Sequence, residues 1–172
     1  MTTPLRPLLL TLLLAACAAP DRALAPEHPR LAKASAADAD ARRTRRRLER
    51  AADGLLYTSE SDYPFTYVSR SAGPPAADRV AAFRAAFAVP PAAPVQVVSL
   101  DDFFTRHIER VDPADSVALA LVPRYVRLRE TLRASARDVR VYRVGTIAID
   151  CYAVGTDASG NWVGLQTVAI ET

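Results

Sequence analysis

The spacing of apolar residues changes period several times along this chain, and each change marks an element. A short leucine-rich run covers 8–14, broken only by Thr11. Residues 18–36 then mix Ala, Pro and charge without a period, which reads as a tether. A helical period starts near Asp38, with Ala41, Leu48, Ala52 and Leu55 on one face and Gly54 as the stop. Leu55-Leu56-Tyr57 and a polar turn over 58–62 lead to a strand over 65–68. Pro74-Pro75 opens a short helix with the stripe Val80, Phe83 and Phe87, and Pro90-Pro91 closes it. Residues 95–98 read as a strand, and Ser99 with Asp102 forms a capping box for a helix bearing Phe103 and Phe104. Asp112-Pro113 begins a longer helix with Val117, Leu121, Tyr125, Leu128 and Leu132 on one face, kinked or broken at Pro123. Two β-rich runs, 139–156 and 162–171, flank the turn 157–161 as an antiparallel hairpin.

Helices outnumber a small set of strands, and the hairpin forces antiparallel pairing, so the class expected is α+β, in layers. A length of 172 residues leaves room for one domain plus a tail. Net charge is +3, unevenly spread: residues 17–50 carry nine Lys/Arg against five Asp/Glu, whereas residues 51–172 carry twelve against fourteen. The folded part is therefore mildly acidic, which argues against direct nucleic acid binding by the domain. The arginine run at 42–47 reads either as attraction to anionic lipid or nucleic acid, or as a solvated helix face. Two cysteines allow no disulfide framework once Cys17 is assigned elsewhere, and Cys151 in its apolar run reads as a small buried hydrophobe. His28 and His107 have no ligand-type partner at metal spacing. Neither a nucleophile–base pair nor a glycine-rich phosphate loop is seen, so no enzyme, cofactor or metal of its own is expected.

The first sixteen residues have the layout of a secretory signal peptide, with Arg6 its one charge. The 8–14 run is too short to span a bilayer, which takes about 20 residues. Leu14-Ala15-Ala16-Cys17 resembles the lipobox of bacterial lipoproteins. That resemblance implies lipidation of Cys17, a tether over 17–37, and an exported chain held in the cell envelope. Ala18 after the cysteine favours the outer membrane. The competing reading is an ordinary secretory signal that contains a cysteine.

Further along, Ala52-Asp53-Gly54-Leu55-Leu56-Tyr57-Thr58-Ser59-Glu60-Ser61-Asp62-Tyr63-Pro64-Phe65 resembles the N-terminal signature of the nuclease A inhibitor-like family. Val141-Tyr142-Arg143-Val144-Gly145, Ile149-Asp150-Cys151-Tyr152, Gly160-Asn161, Gly164-Leu165 and Glu171-Thr172 resemble its C-terminal hairpin. Coverage is 38–172. The resemblance implies a three-layer α/β/α sandwich that plugs the active site of a secreted, non-specific, Mg²⁺-dependent DNA/RNA endonuclease. It makes Glu60 the partner-binding acid of the Ser-Glu-Ser turn, with Asp62 the alternative acid. It places Thr172 near the Mg²⁺ of a bound nuclease. The family's helix-leading Asp-Trp pair falls on Asp112-Pro113, so the acid is present and the aromatic is not. Aromatic anchors dominate interface energy, so a cell-envelope binding or scaffold lipoprotein that keeps the fold without the nuclease target is the alternative.

Overall fold

The computed structural model describes residues 29–74 and 76–172, with side chains from residue 36. Cys17, the leucine-rich run and the first part of the tether lie outside the described residues. Four helices are present among those described: α1 (Pro29–Ala52), α2 (Arg79–Phe87), α3 (Leu100–Ile108) and α4 (Ser116–Ser135). The strands are β1 (Leu56–Thr58), β2 (Asp62–Pro64), β3 (Thr66–Arg70), β4 (Val95–Val98), β5 (Arg137–Val144), β6 (Ala148–Thr156) and β7 (Trp162–Ile170). Five of them form one antiparallel sheet in the order β3-β7-β6-β5-β4, and β1 pairs with β2 in a separate hairpin.

Strand alternation sends neighbouring residues to opposite faces, and the two faces build different cores. Val141, Cys151, Ala153, Val163 and Leu165 meet Leu48, Phe103, Phe104, Leu128 and Leu132, so α1, α3 and α4 form one outer layer. Tyr142, Val154 and Trp162 point the other way and pack on Phe83 of α2. The arrangement is α+β in three layers, α/β/α, as expected. Every buried residue of these two cores lies between Leu48 and Ala169.

Several boundaries differ from the sequence expectation. The C-terminal hairpin is present as β6 and β7, and β5 extends it to a three-stranded meander because residues 137–156 fold back at Gly145. That glycine sits at φ +112, and a Cβ there would lie 2.6 Å from the Ala148 carbonyl oxygen. The reversal is hidden in the sequence because Val144 and Ile147 continue the apolar run around it. The 17–37 tether is also shorter than expected: α1 begins at Pro29, since an alanine-rich segment has high helix propensity without an amphipathic period. Ala41 is exposed, and burial on α1 starts at Leu48.

Pro74 does not open α2. Asp78 does, its side chain accepting a hydrogen bond from the Ala81 amide at 2.8 Å. Asp112-Pro113 likewise forms a turn ahead of α4, whose cap is Asp115, bonded to the Ala118 amide at 2.9 Å. The apolar stripe of α4 is buried at Tyr125, Leu128 and Leu132, but Val117 is 73 % exposed. The helix runs unbroken through Pro123. Ser99 caps α3 as its spacing indicates, accepting from the Asp102 amide and lying 2.6 Å from the Asp102 carboxylate.

Candidate functional site

The β1–β2 hairpin stands where the end of β7 leaves the sheet, and its tip is the Ser59-Glu60-Ser61 turn. The turn closes on itself through the Ser59 amide and hydroxyl, both donating to the Ser61 carbonyl at 3.0 and 3.1 Å. Ser59 also ties the turn to the sheet, its Oγ accepting from the Ile170 amide at 2.9 Å. The Glu60 amide donates to the Ile170 carbonyl at 3.3 Å, so the turn is laid along the last residues of β7.

That docking carries the Glu60 carboxylate to Thr172. Oε1 accepts from the Thr172 amide at 3.0 Å, and the Thr172 hydroxyl lies 2.9 and 3.0 Å from the two carboxylate oxygens. Residues 112 positions apart thus form one exposed polar clamp. A carboxylate offers about four acceptor sites, so Glu60 keeps acceptor capacity on its open side while Thr172 holds it in place. Next to the clamp, the Glu171 carboxylate meets Arg143 at 2.6 Å and the Glu171 amide donates to the Ile147 carbonyl at 3.0 Å. Burial works against the charge on Arg143, but the bond to Glu171 and its negative charge raise the guanidinium pKa above its usual value.

Beneath the hairpin is an aromatic support. Tyr57 stacks on Phe103 at 4.5 Å with the rings 9° from parallel, and lies 4.9 Å from the His107 ring. His107 in turn packs 4.7 Å from Tyr125. Polar bonds thread this stack to the hairpin backbone. The Thr58 amide donates to His107 Nε2 at 3.0 Å, Tyr125 donates its hydroxyl to the Leu56 carbonyl at 2.6 Å, and Arg106 donates to the Thr58 carbonyl at 3.3 Å. With Nε2 accepting, the ring proton sits on Nδ1, which is buried without a hydrogen-bond partner among the described residues. Burial, aided by the charge of Arg106, lowers the His107 pKa to about 4, so the ring is neutral at neutral pH.

The other two sequence-derived acids lie outside the clamp. Asp62 is exposed, opposite Thr58 across the hairpin, and its charge acts on His107 and Tyr125. Asp112 is exposed in the α3–α4 loop and spends one carboxylate oxygen on the Ala114 amide at 2.9 Å. No hydrogen bond among the described residues joins Asp112 to Glu60, Asp62 or Thr172. Pro113 is exposed beside it.

The sequence reading missed the groups that position the clamp, namely Ser59, Arg143, Glu171 and His107. A lone histidine three residues after Phe104, on the same helix as two buried aromatics, was the available signal for His107. Cys151 is buried, and burial pushes its thiol up to about 11, which suits an inert core residue.

The two motif segments that frame this corner, residues 52–65 and the β5–β7 meander, are what a comparison with known families tests. A family model described as nuclease A inhibitor-like protein matches residues 42–172. The chain belongs to the nuclease A inhibitor-like family. The match takes in the last turns of α1, both helical layers and the whole sheet, so this nuclease A inhibitor-like domain ends its described fold at the clamp. Among curated proteins, none matches the chain.

Proposed function

We propose that the protein inhibits a secreted, non-specific, Mg²⁺-dependent endonuclease by inserting the Glu60–Thr172 corner into its active site. The observation that carries this reading is the clamp itself. Two segments from opposite ends of the matched region meet at an exposed point, one supplying a carboxylate and the other a hydroxyl. A nuclease cleft is built for phosphate and presents cationic donors and a hydrated Mg²⁺, a hard cation that prefers oxygen ligands. A carboxylate held at fixed geometry imitates a phosphate oxygen there, and charge-assisted bonds to it are the strong ones. Holding Glu60 in advance cuts the ordering cost of binding. Asp62, on the same hairpin, and Asp112, in the α3–α4 loop, are further exposed acids for a basic rim. The protein's role is thus blockade and not catalysis.

The same reading places the domain in the cell envelope, lipid-anchored through Cys17, with the outer membrane as the preferred site. Several acyl chains hold a protein firmly where one does not, since each buried CH₂ contributes about 0.8 kcal/mol. Labelling cells with radioactive palmitate should mark the wild-type chain and not Cys17→Ser; label retained by the variant, or missing from the wild type, refutes the anchor.

The inhibition is tested by cleavage of plasmid DNA with Mg²⁺ and a panel of secreted non-specific endonucleases, including any from the same cell. The protein should suppress cleavage at near-equimolar ratio, and Glu60→Ala should weaken it at least tenfold, by about 1.4 kcal/mol or more. Undiminished cleavage at large molar excess across the panel sinks the reading. One observation favours a second reading, a binding or scaffold lipoprotein of the envelope. The α3–α4 loop shows Pro113 and an internally bonded Asp112 where the family resemblance implies an aromatic anchor. Capture of a non-nuclease envelope protein that depends on Glu60, with no nuclease inhibited, is the outcome that reading requires.

A further inference from the structure

The arginines of α1 do not form a simple solvated face, because α4 brings more of them to the same place. Arg43, Arg46, Arg47 and Arg50 of α1 and Arg124 and Arg127 of α4 line one open groove of about 430 Å³, completed by Ala51 and Thr131. No acidic side chain lines it. Each helix contributes one acid near this region, Glu49 on α1 and Glu130 on α4, and both are used elsewhere. Glu49 pairs with Arg45 at 2.7 Å, and Arg45 lies over the Tyr67 ring. Glu130 joins Arg129 and Arg133, which also pair with Asp101 at the start of α3.

The cations of α4 are thereby sorted. Those facing α3 are neutralised, and those facing α1 are not. Arg47 and Arg124 are tied to backbone carbonyls, of Ala134 and Asp53, while Arg43, Arg46, Arg50 and Arg127 form no ion pair among the described residues. Six like charges in one groove repel each other, and an anion seated there relieves the repulsion.

We infer that the α1–α4 groove is a docking surface for an anionic membrane, taking the phosphates of acidic lipid headgroups. Two features favour lipid over nucleic acid. The lining has no aromatic side chain on which a base could stack. Val117, the most exposed large apolar residue described at 73 %, lies two helical turns before Arg124 on the same stripe of α4. An apolar tip in line with guanidinium groups is the composition of a surface that rests at the headgroup boundary. The inference needs no acyl chain on Cys17 and uses no residue of the Glu60–Thr172 corner.

The test uses the chain from Ala18 onward, which keeps both cores entire and lacks the leucine-rich run and the lipidated cysteine. Its partitioning is measured on vesicles of equal parts phosphatidylglycerol and phosphatidylcholine, and on phosphatidylcholine alone. The expected result is binding to the acidic vesicles only. Arg46→Gln with Arg127→Gln should weaken it about thirtyfold, at the usual worth of a basic residue near an acidic surface. Arg46→Lys with Arg127→Lys should retain most of it. Arg110→Gln with Arg140→Gln removes the same charge from exposed positions outside the groove and should cost less than about threefold. No preference for acidic vesicles overturns the proposal, and so does an equal loss in both glutamine pairs. Tighter, groove-dependent binding to duplex DNA or RNA at the same salt also overturns it, in favour of a nucleic acid. Nuclease inhibition in solution should be unchanged by the groove pair, so failure of inhibition and failure of docking are read separately.

Discussion

On the α2 face of the sheet, Phe83 is fully buried among Phe87, Tyr142, Tyr152 and Trp162, with the Tyr142 ring stacked at 4.1 Å. Its polar contacts stay at the margin, where Arg79 donates to the Tyr142 hydroxyl at 3.2 Å and lies over Trp162. On the opposite face the aromatic residues are threaded with polar bonds, and those bonds end in the β1–β2 hairpin. The first cluster holds helix to sheet and makes no side-chain hydrogen bond to the β1–β2 hairpin among the described residues. The second does the same work while setting the position of Glu60. Stability and presentation of the site are therefore separable by face.

The sharpest way to break that separation is at Phe83. Phe83→Ala should cost about 3–5 kcal/mol of unfolding free energy, read from the urea midpoint. Nuclease inhibition measured well below the melting temperature should stay within about twofold of wild type, a difference of under 0.5 kcal/mol. Loss of inhibition in proportion to stability would show that the two faces are not independent.

A comparable effect should follow pH on the other face. His107 has a folded pKa of about 4 against the ordinary 6.5, so the unfolded chain takes up the proton first. The stability tied to the neutral ring is complete above pH ~6.5 and is lost as pH falls toward ~4, by at most about 3 kcal/mol. Protonation also removes the acceptor for the Thr58 amide, so the hairpin should loosen with it. Urea midpoints across this range should slope for the wild type and flatten for His107→Gln. Equal slopes in the two proteins would assign the pH dependence to other groups.

Smaller changes should separate support from contact. Tyr125→Phe removes the bond to the Leu56 carbonyl and should cost about 1 kcal/mol. Its larger effect should be faster amide exchange at Thr58, and exchange unchanged there would detach Tyr125 from the hairpin. Thr172→Ala should leave stability within about 0.5 kcal/mol, as for most exposed substitutions. It should still weaken inhibition about tenfold by freeing Glu60. Full potency in that variant would show that Thr172 has no part in the interface.

The α+β class, the two buried aromatics of α3, the cap at Ser99 and the strand at 95–98 were legible because period and capping act locally. The fold-back at Gly145 was not, since a single glycine within a β-rich run resembles a strand interior. The starts of α2 and α4 were displaced for a related reason. Proline marks where a helix is permitted to begin, but Asp78 and Asp115 supply the acceptor that begins it. At the site, resemblance named Glu60 and Thr172, and nothing in either local sequence says that they touch. Their meeting depends on β3 pairing with β7 and on Ser59 reaching Ile170, both contacts across about a hundred residues. Arg143 and Glu171 stayed hidden because an ion pair has no spacing signature.

The pairing of β3 with β7 has a temporal consequence. Thr66 waits for Gln166, and Glu60 waits for Thr172, so neither the sheet edge nor the clamp exists until the last strand joins. Contacts this distant in sequence form slowly, because the loop between them must close first. A chain still being made, threaded or held unfolded therefore lacks the clamp. If the proposed inhibition holds, the corner becomes competent only once the molecule around it has finished folding.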